Sequence, residues 1–250
     1  GSELVADTDG VIKASVTTKD AAGNPGSADT TKDFTVDVTA PVVAISVDNL
    51  TDDNIINAAE AGENVPVTGT VTGEFQAGDV VTVTVNDTDY TTTVDADGTY
   101  SVVDVPGSEL VADTDGVIKA SVTTTDAAGN PGAADTTKDF TVDVTAPEVA
   151  ITVDNLTDDN IINAAEAGEG ENVPVTGTVT GEFQAGDVVT VTVNDTDYTT
   201  TVDADGTYSV VDVPGSELVA DTDGVIKASV TTKDAAGNPG SADTTKDFTV

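Results

Sequence analysis

The sequence predicts an all-β protein: tandem β-sandwich repeats of about 105 residues, seven strands in each, arranged end to end. Three observations predict it. The chain repeats itself, since GSELVADTDGVIKASVTT begins at Gly1, Gly107 and Gly215, and DNLTDDNIINAAEAGE begins at Asp48 and Asp154. Self-similarity at a fixed period marks an array. Apolar residues alternate with Thr, Ser, Asp and Lys at the period-2 spacing of half-buried strands. Turn residues punctuate these runs, and no helical period of any length is visible.

Taking Pro41 to Ala146 as one unit, the strands follow in order. Val43, Ile45 and Val47 give the first, and Val65, Val67, Gly69 and Val71 the second. Val81, Val83 and Val85 give the third, Tyr90, Thr92 and Val94 the fourth, and Tyr100 with Val102 the fifth. Ile118, Ala120 and Val122 give the sixth, and Phe140, Val142 and Val144 the seventh. DADG, Asp95 to Gly98, supplies an Asp-Gly pair for a tight hairpin. DTDG and AAGNPG close longer loops. Between the first two strands, TDDNIINAAEAGEN keeps neither period; Asn57 followed by Glu60 matches a capping box and predicts one short helical turn. Seven short strands of this kind predict Greek-key connections without the Cys and Trp core of antibody domains.

The pentapeptide DVTAP recurs at residues 37–41 and 143–147 and divides the chain. Residues 1–40 match the last two strands of a unit, 41–146 form a complete repeat, and 147–250 form another. Repeat arithmetic also permits a permuted boundary, Gly1 to Pro106 and Gly107 to Pro214. We place it at DVTAP because proline cannot donate to a ladder and suits the first residue of a strand. Two strands alone are marginal in water, so residues 1–40 call for pairing with another chain or packing on the next unit.

Charge limits the function. Eight basic residues stand against 46 acidic ones, a formal net of −38. Such a surface excludes nucleic acid, whose phosphates need clustered Lys and Arg, and disfavours an anionic membrane face. No apolar run approaches the roughly 18 residues that span a bilayer, so no direct membrane insertion is expected. The chain has no Cys and no His, so thiolate zinc sites and the usual nucleophile–base pairs are unavailable. Carboxylate pairs could support acid–base chemistry, but no aromatic-lined pocket accompanies them, and the expectation is not an enzyme.

Strand alternation sends the loops to two poles. The Asp48–Asn64 and Gly107–Gly116 loops belong at the C-terminal pole of the unit, and the Glu74–Asp79 and Asp126–Gly132 loops at its N-terminal pole. Five acidic segments should therefore converge around Asp143: Asp48, Asp52, Asp53 and Glu60; Asp113 and Asp115; Asp143 itself; Glu182 and Asp187; and Asp234 with Asn238. Asp158, Asp159 and Glu166 are the second unit's counterparts, and Asn24 and Asn130 are those of Asn238. Gathered carboxylates repel unless bridged, and six to eight hard oxygens are what Ca2+ takes. The competing reading, a solvated acidic surface, accounts for Asp104 and Asp139 but poorly for the clustering. No window completes an EF-hand, so Asp95 and Asp97 are read as turn residues. The Asn49 and Asn86 glycosylation triplets and the outward Thr rows of VVTVTVND carry little weight.

INAAEAG, VTGTVTG, GDVVTVTVND, DADGTYSVVDVPGSELVADTDG, DAAGNPG and DFTVDVTAP together resemble the bacterial Ig-like repeats of giant calcium-dependent RTX adhesins exported by type I secretion. The resemblance covers the whole chain. It implies an extracellular, cell-surface extender whose stacked repeats, stiffened by calcium at the linkers, project a distal adhesive region. It implies ligands at Asp37 and Asp143 and at Asp20, Asp126 and Asp234, with neighbouring repeats of the same chain as partners. The competing function is a multivalent glycan- or protein-binding module, for which Phe75 and Phe183 are the candidate anchors.

Overall fold

In the computed structural model, which describes residues 1–168 and 170–250, seven main strands build each complete repeat. Residues 1–40 contribute helix α1 (Ser2–Val5) and strands β1 (Val11–Lys19) and β2 (Pro25–Asp33). The first complete repeat holds β3 (Val43–Val47), β4 (Ile55–Ile56), a 3-10 turn (Glu60–Gly62), β5 (Val67–Gly73), β6 (Val80–Val85), β7 (Thr88–Thr93) and β8 (Thr99–Val102). Helix α2 (Gly107–Ala112), β9 (Val117–Thr125), β10 (Pro131–Asp139) and β11 (Thr141–Val142) complete it. The second follows with β12 (Val149–Val153), β13 (Val175–Gly181), β14 (Val188–Val193), β15 (Thr196–Thr201), β16 (Thr207–Val210), α3 (Gly215–Ala220), β17 (Val225–Lys233) and β18 (Pro239–Asp247).

One sheet of the first repeat has the order β3-β5-β8 and the other β10-β9-β6-β7; the second repeat copies both. Register is fixed by burial. Val67 and Val71 face inward from β5, as do Val81, Val83 and Val85 from β6 and Ile118, Ala120 and Val122 from β9, all 2% exposed or less. A one-residue slip would turn each of these sets to water. Tyr100 on β8 lies across the central strand of its own sheet, over Gly69, where a Cβ would stand 2.6 Å from its hydroxyl, and donates that hydroxyl to the carbonyl of Ser46 on β3 at 2.8 Å. Each repeat closes its own core, one running from Ile45 to Phe140 and the other from Ile151 to Phe248.

Four details depart from the sequence reading. The seventh strand is Pro131–Asp139, paired along its whole length with β9. Its sequence, PGAADTTKD, offers no apolar alternation, so the partner's ladder rather than its own side chains holds it. Phe140 is buried, but Thr141–Val142 cross to pair in parallel with Ile55–Ile56, and Val144 is exposed. Second, GSELVA at 107–112 and 215–220 is helical. Pro106 enters it with extended geometry, and six residues, Gly, Ser and Val among them, are too few and too mixed in propensity to display a period. Third, DADG joins strands of different sheets, with Gly98 at φ +88° and Asp97 accepting from Thr99. Fourth, the tight hairpin is the Asn86-Asp87 turn between β6 and β7, both residues at positive φ.

Among the described residues, strands β1 and β2 pair only with each other, and they lie almost wholly exposed. They keep the register of β9 and β10, Val11 opposite Asp33 as Val117 is opposite Asp139. In the complete repeats the inward face of this hairpin is covered by the second sheet.

Candidate functional site

The two poles assemble as strand direction requires. At the N-terminal pole, Val42 exchanges backbone and side-chain hydrogen bonds with Glu74, the Gln76 amide donates to the carbonyl of Thr125, and Pro41 is buried against Gly132. At the C-terminal pole the Asn57 carboxamide oxygen accepts from Ala59 N at 2.9 Å and Glu60 N at 3.1 Å, while Glu60 Oε2 accepts from Asn57 N at 2.9 Å. This is the reciprocal capping box predicted for NAAEA, and it heads the 3-10 turn. Gly107 N donates to Glu63 O at 2.7 Å, which seats α2 against that turn.

The loops between β9 and β10 and between β17 and β18 share one geometry. Asp126 Oδ1 accepts from Ala128 N and Asn130 N, and its Oδ2 accepts from Asn130 Nδ2 at 2.8 Å. Asp20 with Asn24, and Asp234 with Asn238, repeat the pattern. The Asn side-chain amide, followed by backbone donors, holds all three carboxyls below the usual carboxylate range. Each asparagine reaches further. Asn130 Nδ2 also donates to the linker carbonyl of Asp37 at 3.1 Å, and Asn238 Nδ2 to that of Asp143 at 2.7 Å.

At the junction between the complete repeats the contacts cross over. Asn238 Oδ1 accepts from Ala58 N at 2.8 Å, and Asn57 Nδ2 donates to Ala236 O at 3.1 Å. Ala236 and Asn238 are 3% and 2% exposed, whereas Ala128, which has no such turn set over it, is exposed, and Asn130 is half-buried. The sequence reading named Asn238 but missed Asn57's second role, Ala58 and Ala236. The only signal was that Asn57 is an amide where a cap would work equally well with Asp.

The remaining predicted residues spread over the pole. Asp53 is lowered by hydrogen bonds from Ile55 N and then from the Thr51 hydroxyl, and Asp159 accepts the equivalent pair. Asp52, Asp53, Glu60 and Glu63 line one open hollow beside Leu50. Asp158 is exposed, and Glu166 closes a capping box on Asn163. Burial pushes Asp113 up, but donation from Asn86 N, Asp115 N and Gly116 N outweighs it and leaves the carboxyl low. Asp115 caps Val117 N and stands 3.8 Å from Lys119. Glu182 accepts from Glu148 N at the head of β12, and Asp187 accepts from Gln184 N within its own loop. Among the described residues, no three carboxylates come together closely enough to hold an ion by themselves.

What does converge is mixed oxygen. Asp143 O and Asp234 Oδ2 both point at one spot, within 3 Å of the Asn238 amide nitrogen, and Asp143 Oδ1 is tied to Thr145 N nearby. Asp37 O and Asp126 Oδ2 do the same around Asn130. A carboxylate and a backbone carbonyl are hard oxygen donors of the kind that suit Ca2+ and do not suit softer metals, while the asparagine amide presents its nitrogen to them.

Phe75 and Phe183 are half-buried, packed against their cores with their ring edges over Gly98 and Gly206. They present no free aromatic anchor. No helix among the described residues is long and apolar enough to cross a membrane.

Two sandwich sheets per repeat, a core in each and a linker clasped between successive repeats define a tandem array of Ig-like domains. No family model matches the chain, and no curated protein does. Solved structures do. A structure from a 1.5-MDa bacterial ice-binding adhesin is 44% identical over the whole chain, with a TM-score of 0.79, and the chain covers 77% of it. A structure from a Ca2+-stabilized adhesin with which an Antarctic bacterium binds ice is 45% identical, also over the whole chain, with a TM-score of 0.78; there the chain spans 58% of the length. The chain belongs to the Ig-like extender repeats of giant bacterial RTX adhesins.

Proposed function

We propose that the chain is a calcium-stiffened spacer of a bacterial cell-surface adhesin, extracellular and non-enzymatic, which holds a distal adhesive region away from the cell. Its units are residues 41–146 and 147–250, with 1–40 as the last two strands of a further unit. The observation that carries the reading is the junction. The linker leaves β11, passes Asp143 and enters the next sandwich directly, and the Asp234–Asn238 loop lies against both the linker and the preceding repeat. Domains joined by a bare linker swing freely; these are clasped at three points.

The residues that would hold calcium are Asp143 and Asp234 at one junction and Asp37 and Asp126 at the other, with Asp20 in the third copy of the loop, while the Asn238, Asn130 and Asn24 amides donate to these oxygens and orient them. The acidic residues of the adjoining pole, Asp52, Asp53, Glu60, Asp113 and Asp115 and the second repeat's Asp158, Asp159 and Glu166, add to the field that attracts a cation. Bound calcium supplies charge neutralisation and a multidentate tie between linker and loop. A net charge of −38 opposes compaction. An ion that binds only the folded form offsets this by about 2.7 kcal/mol per site when free calcium is 100 times its dissociation constant. Near-identical repeats then add reach without adding a new binding surface. The half-buried state of Phe75 and Phe183 weighs against the multivalent binding module.

Small-angle X-ray scattering of the whole chain, in excess calcium and again after chelation, tests the reading. Calcium is expected to give the longer maximum dimension and the rod-like profile. A profile indifferent to calcium would leave the junction carboxylates as solubilising charge and sink the proposal.

A further inference from the structure

The capping turn and the D-A-A-G-N loop are complementary without any ion. Asn57 needs only its carboxamide oxygen to cap the 3-10 turn, as the bonds to Ala59 N and Glu60 N show. Its nitrogen is therefore spare, and it is spent on Ala236 O of the next repeat. Reciprocally, the Asn238 amide uses its nitrogen for Asp143 O and Asp234 Oδ2, which leaves its oxygen for Ala58 N. Each amide thus uses both its oxygen and its nitrogen, and the two cross-repeat bonds both run from donors of the first repeat to acceptors of the second, one from side chain to backbone and the other from backbone to side chain. Asn238 is 2% exposed, and a buried amide that lost one partner would pay its desolvation in full.

From this we infer that Asn57 and Asn238 form a metal-independent latch, an interaction surface by which the Asn-Ala of one capping turn recognises the D-A-A-G-N loop of the next repeat and sets the angle between the two. The latch rests on the two-repeat architecture and not on calcium. It orients the junction in the ion-free chain, with the Asn238 nitrogen standing where the oxygens of Asp143 and Asp234 converge. The second repeat carries the same capping box at Asn163, whose amide oxygen accepts from Ala165 N and Glu166 N, and among the described residues nothing from another repeat touches it. Within these 250 residues Asn163 therefore serves as a control for the capping box alone.

The chain has no cysteine, so nitroxide labels can be placed cleanly at the exposed sites Ser101→Cys and Ser209→Cys, one in each repeat. Pulsed electron–electron distance distributions are recorded on the full chain in chelator and in calcium. Asn57→Asp keeps an oxygen for the cap and replaces the donor to Ala236 by a charged acceptor, a change that Asn163→Asp makes at a capping box with no such partner among the described residues. In chelator the expected result is a distribution clearly broader for Asn57→Asp and for Asn238→Ala than for the parent, with Asn163→Asp superimposable on the parent. Circular dichroism melts of the same proteins keep a folding failure from passing as loosening. If Asn57→Asp is as narrow as the parent in chelator, or Asn163→Asp broadens as much, the latch is wrong. If calcium changes no width while Asn57→Asp still broadens, the latch stands and the calcium reading falls; narrowing that depends on calcium alone, the same in every variant, overturns the latch and leaves the calcium reading intact.

Discussion

Replacing Gly107 by alanine puts two opposed effects in one methyl group. Gly107 opens α2, and alanine there would favour the helix by at most about 1 kcal/mol. The same methyl would stand 2.0 Å from the Glu60 carbonyl oxygen and 2.9 Å from Ala61 Cα. Both obstacles are backbone, so no rotamer relieves them, and α2 must back away from the capping turn. Overpacking of this kind costs about 1–3 kcal/mol, and with an immovable carbonyl the upper part of that range applies. The net is a loss of about 2 kcal/mol, or roughly 8–16 °C in Tm for a repeat of this size. Gly62, one turn away, has open space at its Cβ position. Gly62→Ala should therefore stabilise by about 0.4–1 kcal/mol through the unfolded chain. Because each repeat has its own core, calorimetry of the full chain should show the first repeat shifting in opposite directions for the two variants while the second stays put. A Gly107→Ala protein as stable as the parent would refute the packing of α2 on the capping turn, and with it the account of how Asn57 is positioned.

Two further outcomes follow from the core. Ile56 is fully buried where β4 meets β11, so Ile56→Ala should cost about 2–5 kcal/mol; urea unfolding giving under 1 kcal/mol would deny that the short parallel pair seals the sandwich. Tyr100 is pushed up to about 12, chiefly by burial and then by Asp48, and Tyr208 is also raised. The raised folded value means the protonated phenol is favoured in the native state, so its contribution is complete below pH 10 and is lost as pH rises from about 10 to 12. Tyr100→Phe should flatten that alkaline loss in the first repeat while lowering stability near neutrality by about 1 kcal/mol through the vacated Ser46 carbonyl. An alkaline midpoint unmoved by the substitution would contradict it.

The sequence alone determined the array, the class of fold and the acidic character, because each is written locally. Repetition needs only comparison of the chain with itself, and burial of one sheet face forces the alternation of Val81, Val83 and Val85. The capping box was legible for the same reason, since Asn57 and Glu60 lie three residues apart and satisfy one another. Tertiary structure decided whatever depends on a distant partner. Pro131–Asp139 is a strand because β9 offers it a ladder, and its own polar residues argue against one. The parallel pairing of Ile55–Ile56 with Thr141–Val142 joins segments too far apart in sequence for any pattern to announce. At the junction, composition could say that oxygen would be plentiful. Only the packed poles could say that Asn57 and Asn238 would meet across it, because a side-chain amide has a donor and an acceptor and the sequence does not say which distant group takes the second.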